Sequence, residues 1–382
     1  MSLTAPNEDP LAVLDDYDFE LPEASIAQTA RAERDSARLL VIDRETGGLF
    51  EAETDLRVRD LPGLLAPGDL LIVNATRVLS ARLVGRKSTG GAAEALLLGS
   101  EPDPEFADER AEPSLPHGPC FRALLKCTGR VRVGLELVLG RPPGSRARVE
   151  ALHERGEISL RFEPGADPYA LGEAPLPPYI RRDPTRSGED DRARYQTIYA
   201  REPGAIAAPT AGLHFTPELF DALEARGVSR AEVVLHVGAG TFRPLDAEAL
   251  VSGQLHSELY ELPPETVEAI EETHARGGRI VAVGTTTARV LESCVEGRGV
   301  LTPGTGETRL FMRPGGAPFR VVDALLTNFH LPRSSLLLLV AAFVGREPLL
   351  AAYRHAIGAG YRFYSYGDAM LITPHPGRSQ VA

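Results

Sequence analysis

Short apolar runs recur at close spacing through the middle of the chain. Six runs of six or seven residues, rich in valine and leucine, stand between turn signals: ARLVGR, EALLLG, FRALLKC, LELVLG, ARVEAL and EISLRF. No helical apolar period persists across them, which argues against helices. Short strands at this spacing are typical of a small all-β barrel or sandwich. We therefore predict that residues 76–180 form an inserted, barrel-like all-β domain.

The chain on either side of this stretch alternates between strand-like and helix-like patterns. Residues 38–43 (RLLVID) and 69–74 (DLLIVN) have the pattern of buried strands. After the insertion, strands such as AEVVLHV and RIVAVG alternate with helices, one of which begins at Thr216 with proline next. A capping hydroxyl followed by proline is a typical helix start. Residues 1–75 and 181–382 are therefore predicted to form one α/β body, with its site in loops at strand ends.

The composition is that of an ordinary globular protein. The 382 residues are 43% hydrophobic and 25% charged, which allows a large core and about two domains. Three cysteines, none in a CxxC pair, exclude a disulfide scaffold and fit a reducing compartment. The first residues lack the pattern of a signal peptide, and the longest apolar run, residues 336–344, is too short to span a bilayer. We expect a cytoplasmic protein without a membrane segment.

The net charge of −12 at first argues against a nucleic-acid partner, because phosphate neutralisation drives that binding. The negative charge is concentrated, however. Residues 1–60 hold 15 acidic and 6 basic residues, a net of −9, and residues 101–120 hold 6 and 1, a net of −5. Residues 121–200 hold 14 basic and 11 acidic residues, a net of +3. A polyanionic partner is therefore disfavoured by the chain as a whole but not by its middle part. Residues 61–100 hold 4 basic and 2 acidic residues, a net of +2, and their Arg86 and Lys87 either contact phosphate or form a solvated hairpin.

Four histidines stand beside small residues and turn signals in the α/β part of the chain: His214, His236, His256 and His330. Imidazole titrates near neutral pH, so histidines in loops and at strand ends suit proton transfer. A single histidine is more often structural, but four in one α/β domain favour a shared site. Glu258 would share a strand face with His256 and can form an acid–base pair with it. The spacings contain neither H-E-x-x-H nor H-x-H, so no catalytic metal is expected.

Two glycine-containing loops and one aromatic segment are further candidates. The runs VGAGTF at 237–242 and GTTT at 284–287 follow apolar strands, so their N–H groups can hold an anionic or nucleoside group. The alternative is a tight strand-to-helix turn, and Arg243 stands where a dinucleotide motif has its third glycine. Residues 361–370 (YRFYSYGDAM) can stack on a base or form a terminal core strand.

Taken together, these segments closely resemble one family, the S-adenosylmethionine:tRNA ribosyltransferase-isomerases of queuosine biosynthesis. The resemblance covers almost the whole chain in the family's order, through the runs DFELP, PGDLLIVNATRV, ARLVGRKSTGG, LPPYIR, YQTIYAREPGAIAAPTAGLHF, HVGAGTFRP, AVGTTTARVLES, VDALLTNFHLP and YRFYSYGDAM. The chain departs from the pattern at Ala75, where a second asparagine is usual, and at Ala92, where lysine is common.

The resemblance implies a transferase that moves the ribosyl group of S-adenosylmethionine onto 7-aminomethyl-7-deazaguanine at the anticodon wobble position of a tRNA. The product carries an epoxycyclopentanediol, as in epoxyqueuosine, and adenine and methionine leave. An α/β body with an inserted β-barrel, no metal, and a cytosolic, monomeric enzyme are also implied. S-adenosylmethionine would be consumed as a co-substrate, so no resident cofactor is expected.

This reaction needs a base for the 5′ carbon beside the sulfonium, a donor near the leaving adenine, and a neutral acceptor amine. We predict that His214 or His236 is the base and that Glu258 lies near the cationic sulfur or the amine. The catalytic candidates are His214, His236, His256, Glu258 and His330. The substrate-binding candidates are Asn74, Thr76, Arg77, Thr210, Thr285, Arg289, Asn328, Tyr366 and Asp368. Contacts with tRNA are expected from Arg86, Lys87 and Arg181.

Two other functions remain open from the residues alone. The run VVLHVGAGTF superficially resembles the strand and loop of a Rossmann-type S-adenosylmethionine methyltransferase, although His236 and Val237 stand where an acidic residue is usual. A noncatalytic RNA-binding protein would use the barrel to bind tRNA without consuming S-adenosylmethionine. The acidic total charge disfavours this second alternative.

Overall fold

A computed structural model describes six stretches of the chain, residues 10–50, 55–101, 118–181, 188–242, 244–296 and 300–374. Its strands are β1 (Leu39–Asp43), β2 (Leu70–Asn74), β3 (Thr76–Val78), β4 (Arg82–Lys87), β5 (Ala92–Glu101), β6 (Cys120–Cys127), β7 (Glu136–Leu139), β8 (Ser145–Leu152), β9 (Glu157–Phe162), β10 (Glu202–Ala205), β11 (Ser229–Leu235), β12 (Gln254–Leu262), β13 (Ile280–Val283), β14 (Val295–Glu296), β15 (Val300–Leu301), β16 (Gly304–Leu310), β17 (Ala324–Asn328) and β18 (Ala369–Thr373). Arg243 and most of the acidic segment 101–120 lie outside the described residues.

The α-helices are α1 (Leu61–Leu64), α2 (Pro168–Leu171), α3 (Gly188–Arg194), α4 (Pro217–Ala225), α5 (Ala247–Ser252), α6 (Pro264–Ala275), α7 (Thr285–Ser293), α8 (Ser335–Val344) and α9 (Arg346–Gly358). Helix starts follow residues that the sequence indicates. Thr216 precedes α4, and its Oγ1 accepts a hydrogen bond from the Leu219 N–H at 3.2 Å. Ser334 caps α8 in the same way through the Leu337 N–H. These caps satisfy N–H groups that have no partner inside the helix.

Eight strands form one mixed sheet in the order β1-β18-β17-β13-β2-β11-β12-β16. The four central strands, β17, β13, β2 and β11, run parallel. Strand β18 runs antiparallel to β17, and β12 runs antiparallel to β11. The carboxyl ends of the central strands therefore lie at the same edge as the amino ends of β18 and β12. We call this edge the C-terminal edge of the sheet.

Alternate residues of the central strands face two different cores. In β2, Leu70 and Ile72 pack with one cluster, whereas Leu71 and Val73 pack with the other. The first cluster includes apolar side chains of α6, α7, α8 and α9, and the second includes those of α1 and α4. A sheet covered on both faces needs apolar residues at successive positions, which explains the unbroken apolar runs.

The longest apolar run, residues 336–344, forms most of α8. Seven of the ten residues of this helix are buried, so its apolarity serves the core. No single helix in the described part of the chain is long and apolar enough to cross a membrane. Only α8 and α9 taken together meet that length and composition, across a bend of 114°.

Six strands close into a barrel in the order β4-β5-β6-β9-β8-β7. Each of the six apolar runs recognised in residues 76–180 forms one of these strands, and all neighbouring pairs are antiparallel. The barrel interior is a separate core, filled by fully buried side chains such as Leu83, Leu97, Leu139 and Leu160. The predicted fold class, an α/β body with an inserted small all-β barrel, is confirmed.

The first residues of the predicted insertion belong to a different sheet from the barrel. Strand β3 pairs in parallel with β10, which lies after the barrel in sequence. The barrel strands themselves occupy residues 82–162. The domain limits at residues 76 and 180 stay a prediction.

Two candidate segments have a local structure that the sequence left open. His256 lies near the start of β12, where the register of the pairing with β16 shifts between Gln254 and Glu258. Residues 361–367 are not a strand, since β18 begins only at Ala369. They turn instead, with the Gly367 N–H donating to the Tyr364 carbonyl at 2.9 Å. A Cβ on Gly367 would lie 2.5 Å from the Arg362 carbonyl oxygen, so this tight turn requires glycine.

Candidate functional site

The topology gathers predicted site residues at the C-terminal edge of the sheet. Asn74 and Asn328 end β2 and β17, and His236 directly follows β11. Asp368 directly precedes β18, and His256 lies near the start of β12, so both reach the same edge. Ligands of open α/β sheets bind at this edge. Residues far apart in sequence thus lie along the C-terminal edge of the sheet.

These side chains form two groups. Strands β18 and β12 are five positions apart in the sheet, and neighbouring strands lie about 4.8 Å apart, so the outer members are separated by roughly 24 Å. What we call the Glu258 group, around β11, β12 and α7, contains Thr76, His236, His256, Glu258 and Arg289. What we call the His214 group, around β17 and β18, contains His214, Asn328, His330, Tyr366 and Asp368.

Glu258 is a buried carboxylate held by three donors. Arg289 Nη1 donates to Glu258 Oε2 in a short ion pair, with the two side chains 5% and 1% exposed. The Gly238 N–H donates to Oε1 at 2.9 Å, and His256 Nε2 lies 3.3 Å from the same oxygen. Burial alone would raise the pKa of Glu258, but His256, Arg289 and the Gly238 N–H together lower it to about 2. The carboxylate is therefore ionised at neutral pH, and the glycine loop binds it.

His236 is partly buried and faces Thr76 on β3. Thr76 Oγ1 and His236 Nδ1 lie 2.8 Å apart. The Asn74 Oδ1 accepts from the N–H groups of Thr76 and Leu235 at 3.1 and 3.0 Å, so this amide positions the pair. Burial lowers the pKa of His236, with two nearby glutamates acting in the opposite direction. The imidazole is biased toward the neutral form that a general base needs.

His214 ends the 3₁₀ helix Thr210–His214 and is 5% exposed. Its Nε2 has no hydrogen-bond partner among the described residues. Burial lowers the pKa of His214 to about 4, although the nearby Asp368 carboxylate acts against this shift. The ring lines a cavity of about 20 Å³, beside Ser365 and Tyr366, which is room for about one water molecule. The ring that lines this cavity is thus neutral, and its Nε2 lacks a partner among the described residues.

Asp368 is fully buried and organises the start of β18. Arg31 Nη2 donates to Asp368 Oδ1 at 2.8 Å. The N–H groups of Arg38 and Arg362 also donate to the carboxylate, at 2.9 and 2.8 Å. Its oxygens are therefore already engaged within the chain. A contact between Asp368 and the acceptor base stays a prediction, and so does one from the buried Tyr366.

His330 and Asn328 are buried where β17 ends. His330 Nε2 lies 3.0 Å from Thr327 Oγ1, and burial lowers the pKa of His330 to about 3. The His330 N–H donates to the Tyr353 hydroxyl at 2.8 Å. Asn328 Nδ2 donates to the carbonyl of Tyr364, whose φ of +73° is uncommon for a residue with a side chain. This environment favours a supporting role for both side chains over proton transfer.

The remaining substrate-binding candidates lie in varied surroundings. Thr285 is buried as the first residue of α7, and Thr210 begins the 3₁₀ helix that ends at His214. Arg77 is exposed and donates to the Ala200 carbonyl at 3.0 Å. Thr285 thus lies just after β13 at the C-terminal edge, Thr210 begins the helix that carries His214, and Arg77 is on the surface.

The three predicted tRNA contacts are all on the surface of the molecule, with different partners. Arg86 is exposed on β4. Lys87 Nζ donates to the Thr128 carbonyl at 2.6 Å. Arg181 forms a short ion pair with Glu23, although both side chains remain more than three-quarters exposed. Such exposed pairs are weak, so Arg181 can exchange its partner.

Three arginines that sequence reasoning missed line the His214 cavity: Arg31, Arg34 and Arg194. Arg31 and Arg34 belong to residues 1–60, and the net charge of −9 of that segment gave no reason to single them out. Arg194 ends a polar, arginine-rich connector, which was the available signal. No group of three or more His, Cys, Asp or Glu side chains in the described ranges is arranged to hold a metal ion.

The body is an α/β sheet with neutral histidines and an ionised carboxylate at its C-terminal edge, and a closed barrel is inserted into the chain. These features define an enzyme with acid–base groups on its body and a separate β module. Comparison with known proteins identifies the family within this class. The chain belongs to the family described as queuosine biosynthesis protein, whose model matches residues 14–372.

Relatives match this chain near full length. It is 51% identical over 371 residues to the S-adenosylmethionine:tRNA ribosyltransferase-isomerase of Acidithiobacillus ferrooxidans, covering 95% of this chain and 99% of that protein. The protein of that name from Thermus thermophilus is 48% identical over 368 residues, covering 94% and 99%. The crystal structure of the S-adenosylmethionine tRNA ribosyltransferase from Thermotoga maritima matches with a TM-score of 0.51 and 36% identity, covering 94% and 99%. The family resemblance is confirmed, and these relatives do not support the methyltransferase alternative.

Proposed function

We propose that the protein transfers and isomerises the ribosyl moiety of S-adenosylmethionine onto 7-aminomethyl-7-deazaguanine at the wobble position of a tRNA. Epoxyqueuosine-tRNA forms, and adenine and methionine leave. The observation that carries this proposal is the near full-length similarity to relatives bearing that name. The acid–base groups at the C-terminal edge support it, because the reaction needs a positioned base and electrostatic stabilisation.

The first chemical demand is a neutral base for the acidic 5′ carbon. Burial lowers the pKa of both His214 and His236, so each is held in the neutral form at physiological pH. His214 Nε2 has no partner among the described residues, whereas His236 Nδ1 already meets Thr76. We therefore favour His214 as the base and His236 as the group that orients the sugar or the acceptor.

The second demand is a stable anion near the cationic sulfonium, which is bonded to the 5′ carbon. Strand β12 lies four to five positions from β17 and β18 in the sheet, so Glu258 meets this demand where His236, of its own group, is the base. Glu258 remains ionised at neutral pH because His256, Arg289 and the Gly238 N–H all stabilise its charged form. Arg289 fixes the carboxylate geometry from its buried side, while His256 is on the more exposed side. This arrangement leaves Glu258 rigid, which preorganises the field acting on the sulfonium.

S-adenosylmethionine is consumed as a co-substrate in this proposal, and no resident cofactor or metal takes part. The partners are S-adenosylmethionine and a tRNA that carries the modified wobble base. A cytoplasmic location and a monomeric state complete the proposal.

One incubation tests the function directly. The protein, S-adenosylmethionine and tRNA carrying the precursor base are combined, and products are measured by mass spectrometry. We expect adenine and the altered nucleoside in equal amounts. Production of S-adenosylhomocysteine would show methyl transfer instead, and binding without consumption of S-adenosylmethionine would show a noncatalytic RNA-binding protein.

Gly204 sets the position of the His236 ring. A Cβ at this position would lie 2.6 Å from His236 Nδ1, so Gly204→Ala must displace the ring from Thr76. We expect the rate of adenine release to fall roughly 10- to 100-fold, since a displacement near 1 Å can have that effect. The matched control is Gly63→Ala, where no atom lies within 4 Å of the added Cβ. Equal rates for the two variants would contradict a role for the His236 geometry.

Arg86 and Lys87 are proposed to meet tRNA phosphates from the barrel. The double variant Arg86→Glu/Lys87→Glu is expected to weaken tRNA binding and flatten its dependence on salt, because fewer counterions are released. Affinity for S-adenosylmethionine should barely change. The control Arg226→Glu/Arg276→Glu makes the same change of charge at the opposite edge of the sheet. An unaltered salt slope in the barrel variant would show that this hairpin does not meet phosphate.

A further inference from the structure

Four arginines surround the approach to the His214 cavity, and we refer to them as the arginine cluster: Arg31, Arg34, Arg194 and Arg362. The first three line the cavity wall together with His214 and Tyr366. The fourth lies close enough to Arg31 for the two charges to interact. Among the side chains that the structure describes, Asp368 is the carboxylate that forms an ion pair with one of the four, Arg31. The cluster therefore carries a local excess of positive charge in a protein whose net charge is −12.

Backbone carbonyls hold these guanidinium groups in place. Arg34 Nη1 and Nη2 donate to the carbonyls of Leu213 and Ala193 at 3.1 and 2.8 Å. Arg194 Nη1 donates to the Ala32 carbonyl at 3.0 Å, and Arg362 Nη2 donates to that of Thr29. A guanidinium has five N–H donors, so these bonds fix its orientation and leave donors available.

Holding the positively charged guanidinium groups of the arginine cluster close together raises the free energy of the folded protein. Burial lowers the pKa of Arg34, and the neighbouring Arg194 lowers it further. Burial also lowers the pKa of Arg362, as does the neighbouring Arg31. An external anion would remove this repulsion and accept the remaining N–H groups.

The space next to the cluster is large enough for part of a nucleic acid. Arg34 and Arg194 also border an open cleft of about 480 Å³, which adjoins the smaller cavity. Three acidic side chains, Glu33, Asp35 and Glu218, also line this cleft, and Glu33 and Asp35 are paired there with Arg59. A volume of this size accommodates a nucleoside-sized group, with the two arginines at the boundary between cleft and cavity.

We propose that the arginine cluster binds a backbone phosphate of the RNA substrate, next to the wobble nucleotide, and so directs the modified base toward His214. This inference rests on the proposed function for the identity of the RNA. The competing anion is the carboxylate of S-adenosylmethionine. That molecule also carries a sulfonium and an ammonium group and is cationic as a whole, so a cationic cluster repels it, whereas it attracts a polyanion.

The experiment measures binding of a tRNA anticodon stem-loop to the full-length protein at several salt concentrations. Arg194→Gln and Arg362→Gln are each expected to raise the Kd about tenfold, since hydrogen bonds to charged groups have that worth. The slope of log K against log salt should fall by about 0.7 for each lost phosphate contact. Arg194→Lys, which keeps the charge, should recover most of that slope.

The control variant is Arg226→Gln, at the opposite edge of the sheet, and melting temperatures verify that each variant is folded. An unchanged stem-loop Kd in both cluster variants, or an equal loss in the control, would overturn the inference. Weaker binding of S-adenosylmethionine with unchanged stem-loop binding would assign the cluster to the carboxylate instead. A wild-type protein that binds the stem-loop through the cluster but releases no adenine would contradict the proposed function and leave the phosphate site standing.

Discussion

Replacing Arg289 by methionine is expected to lower the free energy of unfolding by about 3 to 5 kcal/mol, because it leaves a buried carboxylate without its cation. Arg289 and Glu258 are 5% and 1% exposed, so water cannot take over the lost interaction. His256 and the Gly238 N–H remain beside Glu258 and soften the loss. Urea denaturation at pH 7 measures the change.

The matched control is an exposed ion pair of the same type. Arg276 lies 3.4 Å from Glu272 on α6, and both side chains are more than half exposed. Arg276→Met should therefore change the free energy of unfolding by less than about 0.5 kcal/mol. In the double variant Arg289→Met/Glu258→Gln, neither charge is buried, so part of the stability should return. A double variant no more stable than Arg289→Met would contradict the ion-pair explanation.

The ion pair between Glu258 and Arg289 makes the free energy of unfolding depend on pH. The pKa of Glu258 is about 2 in the folded protein, below its ordinary value of 4.5. A depressed carboxyl pKa contributes stability above the unfolded value, and that contribution is lost as pH falls from about 4.5 to about 2. The shift corresponds to about 3 kcal/mol for this group, in line with the effect expected for the substitution. Comparing Glu258→Gln with the wild type across this range isolates the contribution.

The sequence was sufficient to predict the elements of the fold but not their neighbours. The barrel runs combine short length, valine and leucine, and flanking turns, and all six form strands. The unbroken apolar run in β2 follows from burial on both faces of the sheet. The order of the strands depends on contacts between distant segments, as when β1 pairs with β18, and no local pattern carries that information.

The candidate site, like the fold, was predictable from the sequence only in part. Histidines and the Glu258 carboxylate were identifiable, because their residue type and their position near strand ends indicate chemistry. The residues and the burial that decide the protonation of these side chains were not identifiable from the sequence. Arg31 meets Asp368 across 337 positions of sequence, and His214 loses its charge through burial that no periodicity reveals. His330 had the same appearance in sequence as His214, yet its ring nitrogen meets Thr327 within the protein.

Replacing His214 by alanine is expected to lower the rate of adenine release by roughly 10² to 10⁴, the usual contribution of a positioned general base. The control His274→Ala removes an exposed histidine from α6, at the opposite edge of the sheet, and should leave the rate unchanged. Near-normal turnover of a folded His214→Ala protein, with loss of turnover in His236→Ala, would transfer the role of base to His236.

The pH profile separates a base from a merely structural histidine. The pKa of His214 is about 4, so the ring stays neutral well below the ordinary value of 6.5. Activity that depends on neutral His214 should therefore persist to about pH 5 and fall only as pH approaches 4. Stability behaves differently, since a depressed histidine pKa makes the folded protein less stable as pH falls from 6.5 toward 4. Circular dichroism at each pH distinguishes the two effects, and an acid limb of activity near pH 6.5 in a fully folded protein would exclude His214 as the base.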